Sequence, residues 1–438
     1  YMGYFNIVEI RSIYYRFWRR WFGRFFSAVY YRKFVVQGTE NLPPVGTPYM
    51  IVSNHQNGLL DALCILFGLP ERHTPIFLAR SDIFKKPFVA KLLCFCKILP
   101  IYRQRDGKEQ LGKNEAIFDF AARMIGEGAA VSLFPEGHHQ EGHYLGRFKK
   151  GFARIAFDAA ERKCFPADML VVPAANHYVR YRGHRTEAML MFGKPVRLAD
   201  YYAAYRENPV RAMVLLAEEL ETRVRGMMLD MPYPERYAAL DAWRELARDP
   251  GLTDVEAMFQ ADKAWADHVR TLPEAEVERA CATAVAVSAQ LRQKGFSPSE
   301  WPVKVKIKDL LTRALCLVVY APFALAGLLL TAVPFGISWH FAGKFSKAAK
   351  TDMLFSTFHF TMDMLLTILF NLIYTILFAV FVRATWWMLP IFFGLCFALR
   401  VSYVEYRAYG RQFIRQCRAY AARKDGALAE AVAGVRAL

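Results

Sequence analysis

A histidine and an aspartate six positions apart, His55 and Asp61, stand in the stretch Val52-Ser53-Asn54-His55-Gln56-Asn57-Gly58-Leu59-Leu60-Asp61. The stretch follows an apolar run that reads as a strand, and Gly58 loosens a turn before a helix expected to begin near Asp61. If the loop folds back, the carboxylate fixes the imidazole tautomer and stabilises its protonated form. The other ring nitrogen is then free to take a proton from a hydroxyl. No serine nucleophile is needed, because the activated hydroxyl itself attacks an acyl thioester. Taken alone, the spacing fits a loop histidine beside a helix-capping aspartate equally well.

Further blocks follow in order. Ile98-Leu99-Pro100-Ile101-Tyr102-Arg103 and then Gln104-Arg105-Asp106-Gly107 place arginines just after an apolar, strand-like run. Val131-Ser132-Leu133-Phe134-Pro135-Glu136-Gly137 ends a strand in a turn that presents a carboxylate. Phe148-Lys149-Lys150-Gly151 sets two cations before a helix, and Val171-Val172-Pro173-Ala174 closes another strand. With these four ordered motifs, over about residues 35–200, the chain resembles the glycerolipid acyltransferase superfamily, whose members acylate glycerol-3-phosphate or lysophosphatidate.

The resemblance implies roles. His55 would be the base and Asp61 its orienting partner. Arg103, with Arg105 beside it, would hold the acceptor phosphate, a task suited to a planar guanidinium fork. Glu136 and Gly137 would shape the site, the carboxylate either gripping a glycerol hydroxyl or ordering the His55 loop. Lys149 and Lys150 read as phosphate or membrane contacts, or as a solvated face. Two departures stand out. Five residues separate His55 from Asp61 where the family commonly has four, as in a subgroup that includes fungal glycerol-3-phosphate enzymes. After Phe-Pro-Glu-Gly the chain continues His138-His139 instead of Thr-Arg, so Arg147 or Lys149 would have to supply any cation there. His138, His139 and His143 read as loop histidines rather than metal ligands, and no metal or cofactor is expected. The co-substrate would be acyl-CoA or acyl carrier protein.

The elements that must position these residues alternate in type. Strands are expected at residues 33–37, 49–53, 76–79, 130–134, 170–174 and 188–192, with helices at 61–67, 88–96, 114–125 and 152–160. That alternation predicts an α/β domain over residues 33–205, a central, mainly β-sheet covered by helices. Residues 206–305 read as a helical extension. Residues 1–32 carry Tyr14, Trp18, Phe22, Phe25 and Val29 at helical spacing, with Arg16, Arg20 and Arg24 opposite. This pattern fits either a membrane-interface helix or an amphipathic helix packed on its own domain.

The last third is apolar. Residues 314–339, 364–382 and 384–399 carry no charge. The latter two, split only by Arg383, read as a hairpin (about 364–400) crossing a bilayer twice. The first contains Pro322 and Pro334 and precedes Lys344, Lys347 and Lys350. A simple crossing would put those lysines outside, so a bent, re-entrant segment is expected within membrane segments 306–410, ahead of a basic cytoplasmic tail, 411–438. The composition agrees with a soluble part joined to a membrane part: 54% hydrophobic, 15% aromatic and 22% charged. The net charge of +17 favours anionic partners. The cations flank apolar segments and no nucleic-acid motif occurs, so membrane lipid is the expected partner rather than nucleic acid. A purely membrane-binding protein would explain charge and anchors but not the ordered motifs. The eight cysteines include no C-x-x-C pair and read as reduced thiols.

The resulting expectation is an acyltransferase at the cytoplasmic face of the inner membrane. It would move an acyl chain to the hydroxyl of 1-acylglycerol-3-phosphate, making phosphatidic acid. Glycerol-3-phosphate or another lyso-lipid, such as an aminolipid, is the alternative acceptor.

Overall fold

The structure, a computed structural model, describes residues 5, 13–25, 30–102, 112–138, 140, 142–181, 185–249, 251–252, 254–298, 305–348, 353–421 and 426–437. The chain divides into two compact units, residues 1–179 with 187–230, and residues 180–186 with 231–438.

The first unit is built on an eight-stranded sheet in the order β1-β7-β6-β2-β5-β3-β4, with β8 beside β6. Its strands are β1 (Tyr31–Gln37), β2 (Tyr49–Ser53), β3 (Ile76–Arg80), β4 (Ile98–Ile101), β5 (Ala130–Leu133), β6 (Leu170–Tyr178), β7 (Thr186–Phe192) and β8 (Val196–Arg197). From β6 through β4 the pairs are parallel, while β7 and β8 run antiparallel to β6. All five residues of β2 and all four of β5 are buried, as expected of parallel strands covered on both faces. Pro100 sits on β4, the edge strand, where its missing N–H costs no ladder bond. Helices α1 (Ile13–Phe25), α2 (Leu59–Gly68), α3 (Pro87–Phe95), α4 (Lys113–Gly126), α5 (Gly151–Arg162), α6 (Tyr202–Glu207) and α7 (Pro209–Met227) complete the unit. The apolar stripe of α5 (Phe152, Ile155, Ala156, Phe157, Ala159, Ala160) is buried, the usual role of a helix with a 3.6-residue apolar period.

The sequence reading falls furthest short at β6. β6 runs four residues past Ala174 through Ala-Asn-His-Tyr, whose polar side chains read as loop. The extension holds because β7 pairs with it (Asn176 opposite Leu190) and because Asn54 continues the β2 edge with its side chain. The Asn54 amide donates to the Asn176 carbonyl at 2.9 Å, and its oxygen accepts from the Asn176 N–H at 2.7 Å, copying a strand's backbone.

The second unit is helical. α8 (Tyr237–Ala247), α9 (Val255–Val269) and α10 (Glu274–Gln293) pack around the fully buried Trp243. Then come α11 (Ile307–Ala348), α12 (Met353–Val382) and α13 (Met388–Ala421), each long and apolar enough to cross a membrane. Their packing is inverted relative to a soluble bundle. Leucines, valines and phenylalanines such as Leu329 and Val318 face outward, while Thr331, Ser338, His359, Asp363, Thr367, Asn371 and Arg400 are buried. Small and polar residues at helix contacts with an apolar exterior are what a lipid solvent selects. The chain is accordingly a membrane protein. α14 (Gly426–Arg436) packs on α8 and α10, its Arg436 donating to the Leu246 carbonyl at 2.9 Å.

α11 is one unbroken helical segment through both prolines. Near its start Arg313 donates to Gln412 at 3.0 Å, and near its end Phe345 meets Phe358 at 5.2 Å. Its middle, at Gly327, lies against Leu399, which is closer to the α12–α13 turn than Gln412 is. The segment therefore runs toward that turn and then away from it, bending around Pro322 and Pro334 as helix-interior prolines permit. A Cβ on Gly327 would stand 2.1 Å from the Leu399 carbonyl oxygen, so only glycine allows this approach.

Candidate active site

Asp61 lies in the first turn of α2 and is fully buried. Its Oδ2 accepts from the N–H groups of Gln56 (2.8 Å) and Asn57 (2.7 Å) and stands 2.8 Å from His55 Nδ1. Its Oδ1 accepts from the Tyr178 hydroxyl at 2.7 Å. The carboxylate thus draws on two backbone donors at a helix N-terminus, where negative charge is favoured, and one phenol from the far end of β6. An acceptor-only carboxylate at Nδ1 assigns the imidazole proton to that nitrogen and makes Nε2 the acceptor nitrogen of the ring. The His55 ring is stacked on Phe134 (4.4 Å, 16°), and its side chain is 21% exposed, against 0% for Asp61. The reactive nitrogen is held on a rigid ring at the edge of solvent.

The Phe-Pro-Glu-Gly turn fixes the backbone of the same histidine. His55 donates its N–H to Glu136 Oε1 at 2.7 Å, and its carbonyl accepts from the Gln140 N–H at 2.8 Å. The other carboxylate oxygen, Oε2, accepts from the Gly146 N–H at 2.8 Å. Glu136 therefore joins the His55 loop to the loop that follows it. Burial pushes its carboxyl up to about 7, against the opposing pull of the His55, Gly146 and Gln140 hydrogen bonds. The following loop is braced from α7: the Leu145 N–H donates to Asp230 at 2.8 Å and the Phe148 N–H to Glu221 at 2.9 Å. Arg225 holds both of those carboxylates, at 2.7 and 3.1 Å.

Residues 33–176, which contain this whole arrangement apart from Tyr178 and the α7 braces, match the family model described as Acyltransferase. Over these residues the chain carries an acyltransferase-type domain similar to those of the glycerolipid acyltransferases. The chain is 33% identical over 121 residues to a chloroplast 1-acyl-sn-glycerol-3-phosphate acyltransferase of Brassica napus, covering 28% of this chain and 33% of that protein. It is 32% identical over 139 residues to the human 1-acyl-sn-glycerol-3-phosphate acyltransferase beta, covering 32% and 47% respectively. The chain thus spans between a third and a half of the length of these relatives. The crystal structure of a 1-acyl-sn-glycerophosphate acyltransferase from Thermotoga maritima is 20% identical, with a TM-score of 0.33 over 50% of this chain and 85% of that one, a likeness too loose to bear on the site.

Within the acyltransferase domain the cations expected to meet a phosphate fall into two groups. Arg103 and Arg105 lie outside the described residues, just beyond Tyr102, whose N–H and carbonyl are both bound by the Asn114 side chain at 2.8 and 2.7 Å. Arg147, Lys149 and Lys150 are exposed before α5. The Lys149 N–H donates to the Pro135 carbonyl at 3.0 Å. Gly137, at φ 73°, makes room for the Lys149 ammonium, which a Cβ there would meet at 2.9 Å. Of the loop histidines, His138 is exposed and stands 3.3 Å from Gln140, His143 is buried against His177, and His139 lies outside the described residues. Among the described residues no three His, Cys, Asp or Glu side chains converge as a metal site would need.

Sequence reasoning missed Tyr178, Phe134, Gln140, Glu221 and Asp230. Tyr178 follows Asp61 by 117 residues, and Glu221 and Asp230 sit on and just past a helix that reads as mere extension. Only the third dimension joins them to the site. Phe134 opens the Phe-Pro-Glu-Gly motif and Gln140 lies three positions past it, so their nearness to Glu136 was legible though their roles were not.

Proposed function

We propose that the protein transfers a fatty acyl chain from acyl-CoA or acyl carrier protein to the hydroxyl of 1-acylglycerol-3-phosphate, making phosphatidic acid. The observation that carries this reading is the 2.8 Å contact of His55 Nδ1 with a buried carboxylate, which leaves Nε2 as a base beside solvent. His55 Nε2 takes the proton of the acceptor hydroxyl as that oxygen bonds to the thioester carbonyl carbon. The tetrahedral adduct collapses, the C–S bond breaks, and the imidazolium returns its proton to the departing thiolate. Asp61 holds the tautomer and offsets the imidazolium charge. Arg103, with Arg105, Arg147, Lys149 and Lys150, meets the acceptor phosphate. No metal or cofactor takes part in this reading. The printed names of the relatives support the acceptor, and an acceptor that is itself a lipid suits a membrane protein. The five-residue spacing between His55 and Asp61 favours a second acceptor, glycerol-3-phosphate.

The catalytic unit works on the cytoplasmic side of the inner membrane. Both ends of α11, the start of α12 and the end of α13 share that side, and Arg383 marks the other, an arrangement that keeps Lys344, Lys347 and Arg411 inside.

Purified full-length protein is assayed with labelled acyl-CoA and acyl carrier protein donors against lysophosphatidate, glycerol-3-phosphate and an amine-bearing lyso-lipid. Phosphatidate from lysophosphatidate supports the reading. Transfer to glycerol-3-phosphate alone selects the second acceptor, and no transfer to any of them refutes both. For the orientation, cysteine probes at Arg383, Lys347 and Arg411 should label from outside, inside and inside, and outside labelling at Lys347 would overturn it.

A further inference from the structure

α1 and α3 expose a common type of face. α1 turns Tyr14, Phe17 and Trp21 outward, and the stretch entering and forming α3 does the same with Ile83, Phe88 (78% exposed) and Leu92. Around them Arg16, Arg20, Lys85, Lys86 and Lys91 are exposed, and neither α1 nor residues 83–95 contain an acid. The two helices touch: Phe95 packs against Tyr15 at 6.2 Å and Trp18 at 6.3 Å. Six large apolar side chains in water are unfavourable unless something covers them. Aromatic tips with the long cationic side chains of Arg16, Lys85, Lys86 and Lys91 match an anionic bilayer interface, while Arg20 is paired with the exposed Glu71 at 3.6 Å.

The inner side of α1 is fastened at one point. Arg19, buried, donates to the carbonyls of Leu66 (3.1 Å), Leu69 (2.7 Å), Pro70 (3.2 Å), Glu71 (3.2 Å) and His73. These carbonyls close the C-terminal end of α2 and the turn after it, where a cation also meets the negative end of the helix dipole. Trp18 adds a ring contact to Phe67 at 6.4 Å. The other end of α2 carries Asp61, and its ten residues span roughly 15 Å.

We infer that α1 and α3 together form a docking surface for anionic bilayer, clamped through Arg19 to the helix that bears Asp61, so that one short helix links the reactive pair to the lipid-facing elements. The surface explains why α1 has two apolar faces: one packs on the acyltransferase domain and the other meets lipid. It deepens the proposed function, on which only the kinetic half of the test rests.

Full-length protein is reconstituted in phosphatidylcholine bilayers with and without phosphatidylglycerol. A bimane probe at Phe88→Cys or Leu92→Cys, on a cysteine-free background, is read against lipids brominated near the head group. Quenching at both sites, greater with phosphatidylglycerol, is expected. Emission indifferent to brominated lipid in both compositions overturns the surface. If the cysteine-free chain does not fold, K85S/K86S/K91S in the native background decides. Each lysine near an anionic surface corresponds to about fivefold in affinity. The triple variant should therefore lose rate on long-chain acceptor in anionic vesicles by at least about tenfold, yet keep its rate on a short-chain monomeric acceptor. Equal loss on both acceptors assigns the lysines to the acceptor phosphate and overturns the surface. A wild-type chain that acylates neither acceptor refutes the proposed function, while the quenching still decides the surface.

Discussion

Asp61 and Asp363 are both fully buried beside a cationic or potentially cationic partner, and they do opposite things. Asp61 accepts from two backbone N–H groups and a phenol, and its fourth contact is the imidazole of His55. Asp363, among the apolar helices, takes the Arg400 guanidinium from α13 and stands 3.3 Å from the Ser338 hydroxyl of α11. Neutral donors steady the first carboxylate without cancelling its charge, so it still favours a proton arriving on His55. A permanent cation neutralises the second, and the pair ties three helices together. Whether a buried carboxylate serves chemistry or architecture depends on its partner's ability to gain and lose a proton.

The comparison breaks most sharply at His55. His55→Ala and Asp61→Asn should each lower acyl transfer by roughly 10²–10⁴-fold with folding and membrane insertion intact. Asparagine presents an N–H toward donors that need an acceptor and loses the imidazole tautomer. A well-folded His55→Ala protein within a few-fold of wild-type rate would end the proposed mechanism. The reverse pattern belongs to the other aspartate. Arg400→Met strands a charge in an apolar bundle and should cost about 3–5 kcal/mol of stability, read as lost thermal resistance in detergent. Arg400→Met with Asp363→Leu should recover most of it. A double variant no better than the single one would show that the pair contributes more than mutual neutralisation.

The contrast was only half legible in the sequence. Asp61 announced itself through a motif, because loop, turn and helix start are local and the expected strand at residues 49–53 is the one found. Asp363 and Arg400 merely bounded the uncharged runs 364–382 and 384–399, and so read as the points where membrane helices stop. The helices continue through them, Met353–Val382 and Met388–Ala421, because each charge finds its counter-charge across the bundle. Arg19 escaped notice for a similar reason. One arginine among several on an amphipathic helix reads as solvated, and only the fold supplies the five carbonyls that bury it. Tertiary partners of polar groups leave no periodicity behind.

Glu136 sharpens the comparison, since it is a further buried carboxylate, held by the backbone N–H groups of His55 and Gly146. Burial raises its carboxyl to about 7, so below that pH it is neutral and keeps one good acceptor for two N–H groups. Above that pH both oxygens accept and the His55 loop is held at both ends. Activity should therefore climb as pH rises through about 7. Glu136→Gln carries one acceptor and one donor at every pH. It should lower the rate at pH 8 by about tenfold and flatten that limb, given that an unmet buried N–H costs about 1–3 kcal/mol. A glutamine variant that keeps the wild-type pH profile would transfer the limb to another group.

The smallest effect discriminates most finely. Tyr178 is fully buried, its hydroxyl 2.7 Å from Asp61 Oδ1 and 3.5 Å from Cys64 Sγ. Burial and the neighbouring Asp61 push its own ionisation far up, so it acts as a permanent neutral donor. Tyr178→Phe keeps the ring and removes that donor. Without it Asp61 keeps its two backbone donors and holds the imidazole less firmly. The rate should fall by less than about tenfold, consistent with one hydrogen bond to a charged group, with both Michaelis constants unchanged. If the variant instead loses stability and rate together, Tyr178 is packing alone, and the backbone donors of Gln56 and Asn57 suffice to hold Asp61.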